Sequence, residues 1–382
     1  IAGSFYFIAL AVFANIIRER IPGESVPVYL QTKYDVRTTR LYSYAWIVYG
    51  FLYIPIQLKT VSSIIQIVLP GLNLMVAMFI GVTIAVIYTS FSGMKGASAV
   101  GRVVCIGIYV LLICFVFTTL PKFGGFSGLL GELPEKYDSM GNMPTQRIVA
   151  WIVGGCISTA VMQAVLQPLL SAKSPEAARV GSILGYVIAA PICFFTATCG
   201  MLSKASGADL GDGSTAFAYA IKTFSSPVFA GIIFAFATMI IAATMATMML
   251  ATGTIITNVY KTEINPDVDD AKVLKLSKTI TFVFAYLTLI PAFLIPSKSL
   301  TNLFLTLQHV AAAPVSFSIL AGLLWKKTTK QGAFWSMLTG MITGVAWMLL
   351  GLTDIVEAVY PVVVVTYGVG IIVSLMTYKE KK

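Results

Sequence analysis

Runs of about twenty apolar residues, parted by short polar breaks, recur along the whole of this 382-residue chain. A run of that length matches the hydrocarbon core of a bilayer, and a helix closes its own backbone hydrogen bonds there without water. Eleven such runs are found, at about 1–17, 41–68, 73–92, 103–120, 148–171, 180–203, 228–259, 279–296, 300–325, 332–350 and 356–377. Charged residues make up 11% of the chain and hydrophobic ones 57%. A soluble domain carries roughly 25% charged residues, so too few remain here to coat the surface in water. The expected fold is all-α: one polytopic transmembrane domain over residues 1–382, with no soluble domain inserted. Ile1 already lies inside an apolar run, with no basic segment before it and no small-residue cleavage site after it. That pattern reads as a start partway through a longer protein rather than as a signal peptide.

Lys and Arg in the loops set the expected orientation. Of 26 such residues, nineteen fall on one side of the eleven runs and six on the other, with Lys59 alone inside a run. The rich side, which includes Arg18, Arg40, Lys173 and Lys326, is expected to be cytoplasmic. Residue 1 would then be outside and Lys382 inside, as in a multi-pass protein of a bacterial or archaeal cell membrane. The net charge of +10 follows from the same loops, so the partner it implies is anionic membrane lipid, not nucleic acid. No obligate protein partner is expected. On the outer side, 204–227 contains STAFAYAIKTF, which is expected to lie as a short helix across a vestibule, and Pro121 to Gln146 forms the longest loop.

The sixteen Asp and Glu residues lie in loops or tails, with Glu357 at the very edge of the last run, which removes an acidic proton relay within the membrane. Metal clusters, catalytic triads and nucleotide loops are likewise not visible, so an enzyme or an ATP-driven pump is disfavoured and no cofactor is implied. The five cysteines sit in apolar runs with no paired spacing and read as small buried hydrophobes.

Polar groups are concentrated in a few runs. In the seventh, Thr244, Thr247 and Ala251 share a helical face, suited either to close packing or to an oxygen-lined site for a monovalent cation. In the ninth, Gln308 and His309 precede Pro314, which frees a carbonyl one turn back, so the pair reads as a cavity wall beside a broken helix. His309 is the chain's single histidine and serves either packing or solute contact. The fifth holds Gly154, Gly155, Ser158, Thr159, Gln163 and Gln167, where paired glycines permit either local unwinding or close helix approach. Lys59 either snorkels or faces a watery cavity that favours an anionic solute.

Several stretches resemble the sodium:solute symporter family, which includes proline, pantothenate, sialic acid and sodium–glucose carriers. LSAKSPEAARVG, Leu170 to Gly181, is similar to that family's Q-R-x-x-x-A-K-S-x-x-x-A-R segment, with Gln167 matching its Gln and Pro168 replacing its Arg. GLLWKKTTKQGA, Gly322 to Ala333, resembles W-K-R-x-T-x-x-G-A, and TGTIITNVYK after the seventh run resembles S-T-x-x-T-x-D-x-Y-K. The resemblance implies the leucine-transporter fold of two inverted five-helix repeats. Residues 1–120 would be the remainder of the first repeat, 148–325 the second, and 332–377 additional helices. Core helix 1 would precede Ile1 and be missing from this sequence. It also implies a sodium site at Ala243 and Thr244, where only the second hydroxyl is kept, with Thr247 and the Ile240 carbonyl completing that half. At the family's second sodium site an Asp matches Gly101, so that site is not expected here. Arg102, next to it, is a candidate for a basic side chain that replaces the cation.

The expected function is cation-coupled, sodium-driven symport of a small organic solute, an amino acid or carboxylate, by alternating access. Ser158, Thr159, Gln163, Gln308, His309 and Lys59 are the expected solute contacts. Sugar-carrying members stack their ligand on aromatics of core helix 6, and 154–163 contains none, which disfavours a sugar. The alternatives are a sodium-independent exchanger or proton-linked carrier using Arg102, and a solute sensor on a transporter fold.

Overall fold

Helices in this chain begin where a small polar side chain meets an apolar run. Asp35 accepts a hydrogen bond from the Thr38 amide (2.9 Å), Ser174 from Ala177 (3.1 Å), Ser226 from Phe229 (3.4 Å) and Thr329 from Gly332 (3.1 Å). Each satisfies one amide that the first helical turn leaves open. The computed structural model describes residues 4–21, 25–137, 144–211, 213, 215–295 and 300–379, with backbone alone at 91–100, 136, 270, 301 and 354. Its helices are α1 (Tyr6–Arg20), α2 (Val26–Lys33), α3 (Val36–Val68), α4 (Leu74–Thr119), α5 (Gly125–Gly131), α6 (Thr145–Ile157), α7 (Gln163–Leu170) and α8 (Pro175–Ala205). There follow α9 (Ala216–Phe224), α10 (Pro227–Val259), α11 (Asp270–Leu287), α12 (Leu289–Leu294), α13 (Leu300–Ala311), α14 (Gly322–Leu324), α15 (Lys330–Leu349) and α16 (Val359–Thr377).

Among the described residues, eight helices are long and apolar enough to cross a bilayer, and α6 with α7 forms a ninth, bent span. The other two of the eleven expected crossings are helical but shorter: the 15-residue α1 and the Leu74–Ser90 part of α4. The third and fourth expected spans run on as one 46-residue helix, α4. A straight helix of that length would reach about 70 Å, more than twice the hydrocarbon thickness. Its two ends, however, meet the same short helix. Lys222 Nζ donates to the Ile67 carbonyl at the end of α3, shortly before α4 begins at Leu74, and Lys122 Nζ, just after α4 ends, donates to the Phe224 carbonyl (both 3.4 Å). The residues flanking α4 at either end are therefore held beside α9. α9 is the short helix expected from STAFAYAIKTF.

The contacts at helix ends sort the loops into two faces. On one, Arg18 Nε donates to the Ala172 carbonyl (3.3 Å) and Arg20 Nη1, in the same turn, donates to the Leu323 carbonyl (2.5 Å). The loops of Lys173 and Lys326 thus share a face, as the charge pattern requires. Arg40 pairs with Glu263 on that face (2.7 Å). On the opposite face, Arg147 pairs with Glu357 (2.8 Å) and ties α6 to α16. Residue 1, Lys298, Lys381 and Lys382, which entered the orientation argument, lie outside the described residues. The main apolar core joins α1, α3, α7, α10 and α13 around Ile54, Leu58, Leu166 and Met249, and a second cluster packs the later half of α4 against α10 through Leu112, Phe115 and Phe234.

In a cysteine-free background, Lys173→Cys and Lys326→Cys are expected to react with a membrane-impermeant maleimide from one side of the membrane, and Lys222→Cys from the other. Reaction of Lys173→Cys and Lys326→Cys from opposite sides would refute the two-face arrangement.

Candidate functional site

A helix that breaks inside a membrane must satisfy its freed backbone groups on protein or on a cavity. α6 ends as the Ser158 amide donates to the Gly154 carbonyl (2.8 Å), a tight turn spans Thr159–Val161, and Met162 is extended at φ −69° and ψ 136°. α7 then restarts at an axis bent by 58°. The break falls at Ser158–Met162 and not at Gly154 and Gly155, which remain helical. The reason is steric: the His309 imidazole lies against Gly154, where any Cβ would overlap Nε2. That glycine serves close approach, and unwinding begins one turn later. Ser158 is fully buried, and its hydroxyl has no partner among the described residues.

The ninth span also breaks. α13 stops at Ala311, Pro314 sits in a tight turn (Ala313–Val315), and a wide π-type turn follows at Phe317–Ala321. Gln308 and His309 occupy the last turn of α13. Gln308 Nε2 donates to Thr159 Oγ1 and reaches Met162 Sδ at 3.7 Å, so one amide clasps both broken spans. His309 is 1% exposed and its Nδ1 has no partner among the described residues.

A cavity of about 930 Å³ opens between these elements. On its α10 wall stand Ile240, Ala243, Thr244 and Thr247. Thr244 donates its proton to the Ile240 carbonyl (3.1 Å) and Thr247 to the Ala243 carbonyl (3.0 Å). With their protons held by the backbone, both hydroxyl oxygens keep lone pairs for a ligand. Thr159, Gln308 and His309 form another wall, and Gly101, Val104 and Cys105 of α4 a third.

Four expected site residues are elsewhere. Gln163 is fully buried and its Oε1 accepts the Val26 amide (2.8 Å), capping α2 instead of facing the cavity. Ser158 and Lys59 are buried outside the cavity lining. Arg102 is exposed and is not among the residues lining the cavity, although its neighbour Gly101 is. Residues that the sequence reading missed are aromatic: Tyr6, Phe7, Tyr53, Trp151 and Phe304 line the same cavity. Tyr53 packs on Phe304 at 5.4 Å between ring centroids. A signal for Tyr53 was present, because Tyr42, Trp46, Tyr49 and Tyr53 recur at spacings of four, three and four, a helical stripe.

The chain matches the profile of the Sodium:solute symporter family over residues 4–340. It is similar to an uncharacterized symporter, YodF, of Bacillus subtilis, at 25% identity over 76% of this chain and 60% of that protein. It is also similar to sodium/glucose cotransporter 4 of Danio rerio, at 20% identity over 92% of this chain and 59% of that protein. The chain thus spans about 60% of the length of these curated relatives. In fold it is similar to the substrate-bound outward-open state of a Na+-coupled sialic acid symporter, with a TM-score of 0.79 at 16% identity, covering 100% of this chain and 84% of that one.

Gly154→Ala is expected to push His309 from its seat and cost about 1–3 kcal/mol, as overpacking of a close contact does. A lowered midpoint of thermal unfolding in detergent checks it, and an unchanged midpoint would show that α13 yields freely there.

Proposed function

Because the chain belongs to the sodium:solute symporter family, we propose that it is a sodium-coupled symporter of a small organic solute working by alternating access. The observation that carries this reading is the pair of Thr244 and Thr247 hydroxyls, proton-satisfied by their own helix and open to the cavity. Sodium is held by oxygen dipoles without a formal carboxylate. In the proposed division, 1–120 belongs to the first repeat, 148–325 to the second, and 332–377 to flanking helices. The basic face is cytoplasmic, the membrane is the cell membrane, and bilayer lipid is the surrounding partner.

The solute proposed is a carboxylate or amino acid. No Asp or Glu lies among the described residues of the cavity wall, and Thr159, Gln308 and His309 present hydroxyl, amide and imidazole groups to it. The break at Ser158–Met162 supplies main-chain groups beside them. A second reading, a sugar-like polyol, is favoured by the aromatic walls of Tyr53, Trp151 and Phe304, on which a ring could stack. Their position also weakens the case against a sugar, which considered only 154–163.

The test is a thermal-shift screen of the full-length protein against carboxylates, amino acids and sugars, with sodium or with choline. Ligand binding raises the midpoint by mass action, so a hit that needs sodium identifies solute class and coupling ion together. Removing one oxygen ligand, as in Thr244→Ala or Thr247→Ala, is expected to raise the sodium concentration for half-maximal uptake about tenfold, corresponding to roughly 1.4 kcal/mol. Arg102→Ala is expected to leave sodium dependence unchanged. Uptake that proceeds equally in choline would refute sodium coupling.

A further inference from the structure

A second concavity, of about 290 Å³, lies on the basic face, well away from the Thr244 cavity. Three cations from separate elements converge on it: Arg20 at the end of α1, Lys33 at the end of α2, and Lys326 just beyond α14. No Asp or Glu is among its described lining residues. Three like charges on one concavity raise the local positive potential and favour the binding of an anion there. Lys33 and Lys326 are exposed, so their ammonium groups are open to a ligand, while Arg20 is oriented by its Nη1 bond to the Leu323 carbonyl (2.5 Å). That bond leaves its other N–H groups available.

An independent observation comes from Tyr29. It lines the same concavity, is 3% exposed, and its hydroxyl has no hydrogen-bond partner among the described residues. Burial raises its pKa, so the phenol stays neutral and remains a donor. A buried hydroxyl without a partner costs free energy unless a ligand or water satisfies it. Trp325 forms part of the rim, the side chain type favoured at the level of lipid headgroups.

The geometry points to a phosphate-binding site on the cytoplasmic face, in which Arg20, Lys33 and Lys326 neutralise a phosphate group and Tyr29 donates a hydrogen bond to it. The phosphate of an anionic lipid headgroup and free phosphate share this chemistry. Loop basicity that serves orientation alone does not require cations at positions 20, 33 and 326 to line one concavity together with a buried phenol. A bound phosphate joins the α1–α2 corner to the end of the broken ninth span, and so braces two elements far apart in the sequence.

The test uses the full-length protein in nanodiscs of phosphatidylcholine, with or without phosphatidylglycerol, read by native mass spectrometry and by unfolding midpoint. The wild type is expected to retain phosphatidylglycerol and to unfold at a higher temperature when it is present. Lys33→Gln and Lys326→Gln should each weaken retention about fivefold, the equivalent of one interfacial cation. Tyr29→Phe, which keeps every charge, should weaken it as well, while Lys222→Gln on the opposite face should not. Inorganic phosphate added to pure phosphatidylcholine discs separates the two sources: a midpoint shift in the wild type that Lys33→Gln and Lys326→Gln abolish makes free phosphate a ligand of the same site. Equal phosphatidylglycerol retention by wild type, Lys33→Gln, Lys326→Gln and Tyr29→Phe, with no response to phosphate, would overturn the proposal.

Discussion

The Gln308 amide holds this architecture together where it is weakest. Backbone groups freed inside a membrane find no water in the lipid, so a broken helix persists only where protein or a cavity receives them. Here the fifth span breaks at Ser158–Met162 and the ninth beyond Ala311; Thr159 and Met162 of the first break line the cavity together with Gln308 and His309, the last turn before the second. Gln308 Nε2, donating to Thr159 and contacting Met162, fixes one break against the other. His309, one residue on, seats against Gly154 and sets how closely α6 and α13 approach. Two adjacent side chains thus decide both the shape of the cavity and the position of its unwound wall.

Features set by periodicity over long segments were legible in the sequence. The apolar runs located the helices, the charge asymmetry grouped the loops of Lys173 and Lys326 on one face, and Pro314 marked the ninth break. Thr244 and Thr247 also lie where a helical face of α10 places them, because that helix is continuous from Pro227 to Val259. Reading by face failed where continuity ends. Thr159 and Gln163 are four residues apart and would share a face on an unbroken helix. The 58° bend between them sends Thr159 to the cavity and Gln163 to the α2 amide. No periodic pattern encodes that divergence, since it is created by the break itself.

Arg102 failed for the opposite reason. α4 is regular there, and Gly101, Val104 and Cys105 line the cavity at the spacing of one helical face. Arg102 is about 100° around from Gly101, so regular geometry already turns it outward. Resemblance drew attention to its place beside a lost carboxylate, while the simpler rule of helical phase gave the observed answer. The aromatic wall was missed through attention to a single helix: Tyr53, Phe304 and Tyr6 come from α3, α13 and α1, and only the assembled bundle brings them to Trp151.

The absence of Asp and Glu from the described cavity wall bears on how coupling would work under the proposed function. The Thr244 and Thr247 hydroxyl oxygens offer a cation lone pairs but no net negative charge, while the Ile240 and Ala243 carbonyls are occupied by the protons of those hydroxyls. A cation held this way, in surroundings of low dielectric, gains from any anionic group brought into the same cavity. A carboxylate solute held by Thr159, Gln308 and His309 would supply that charge. Each ligand would then raise the affinity of the other by the same factor, because binding linkage is reciprocal. A buried Asp in the wall would satisfy the cation alone and weaken that dependence. Under the proposed function, the lack of Asp and Glu in the described wall would make the affinity for the cation depend on the charge that the solute itself brings.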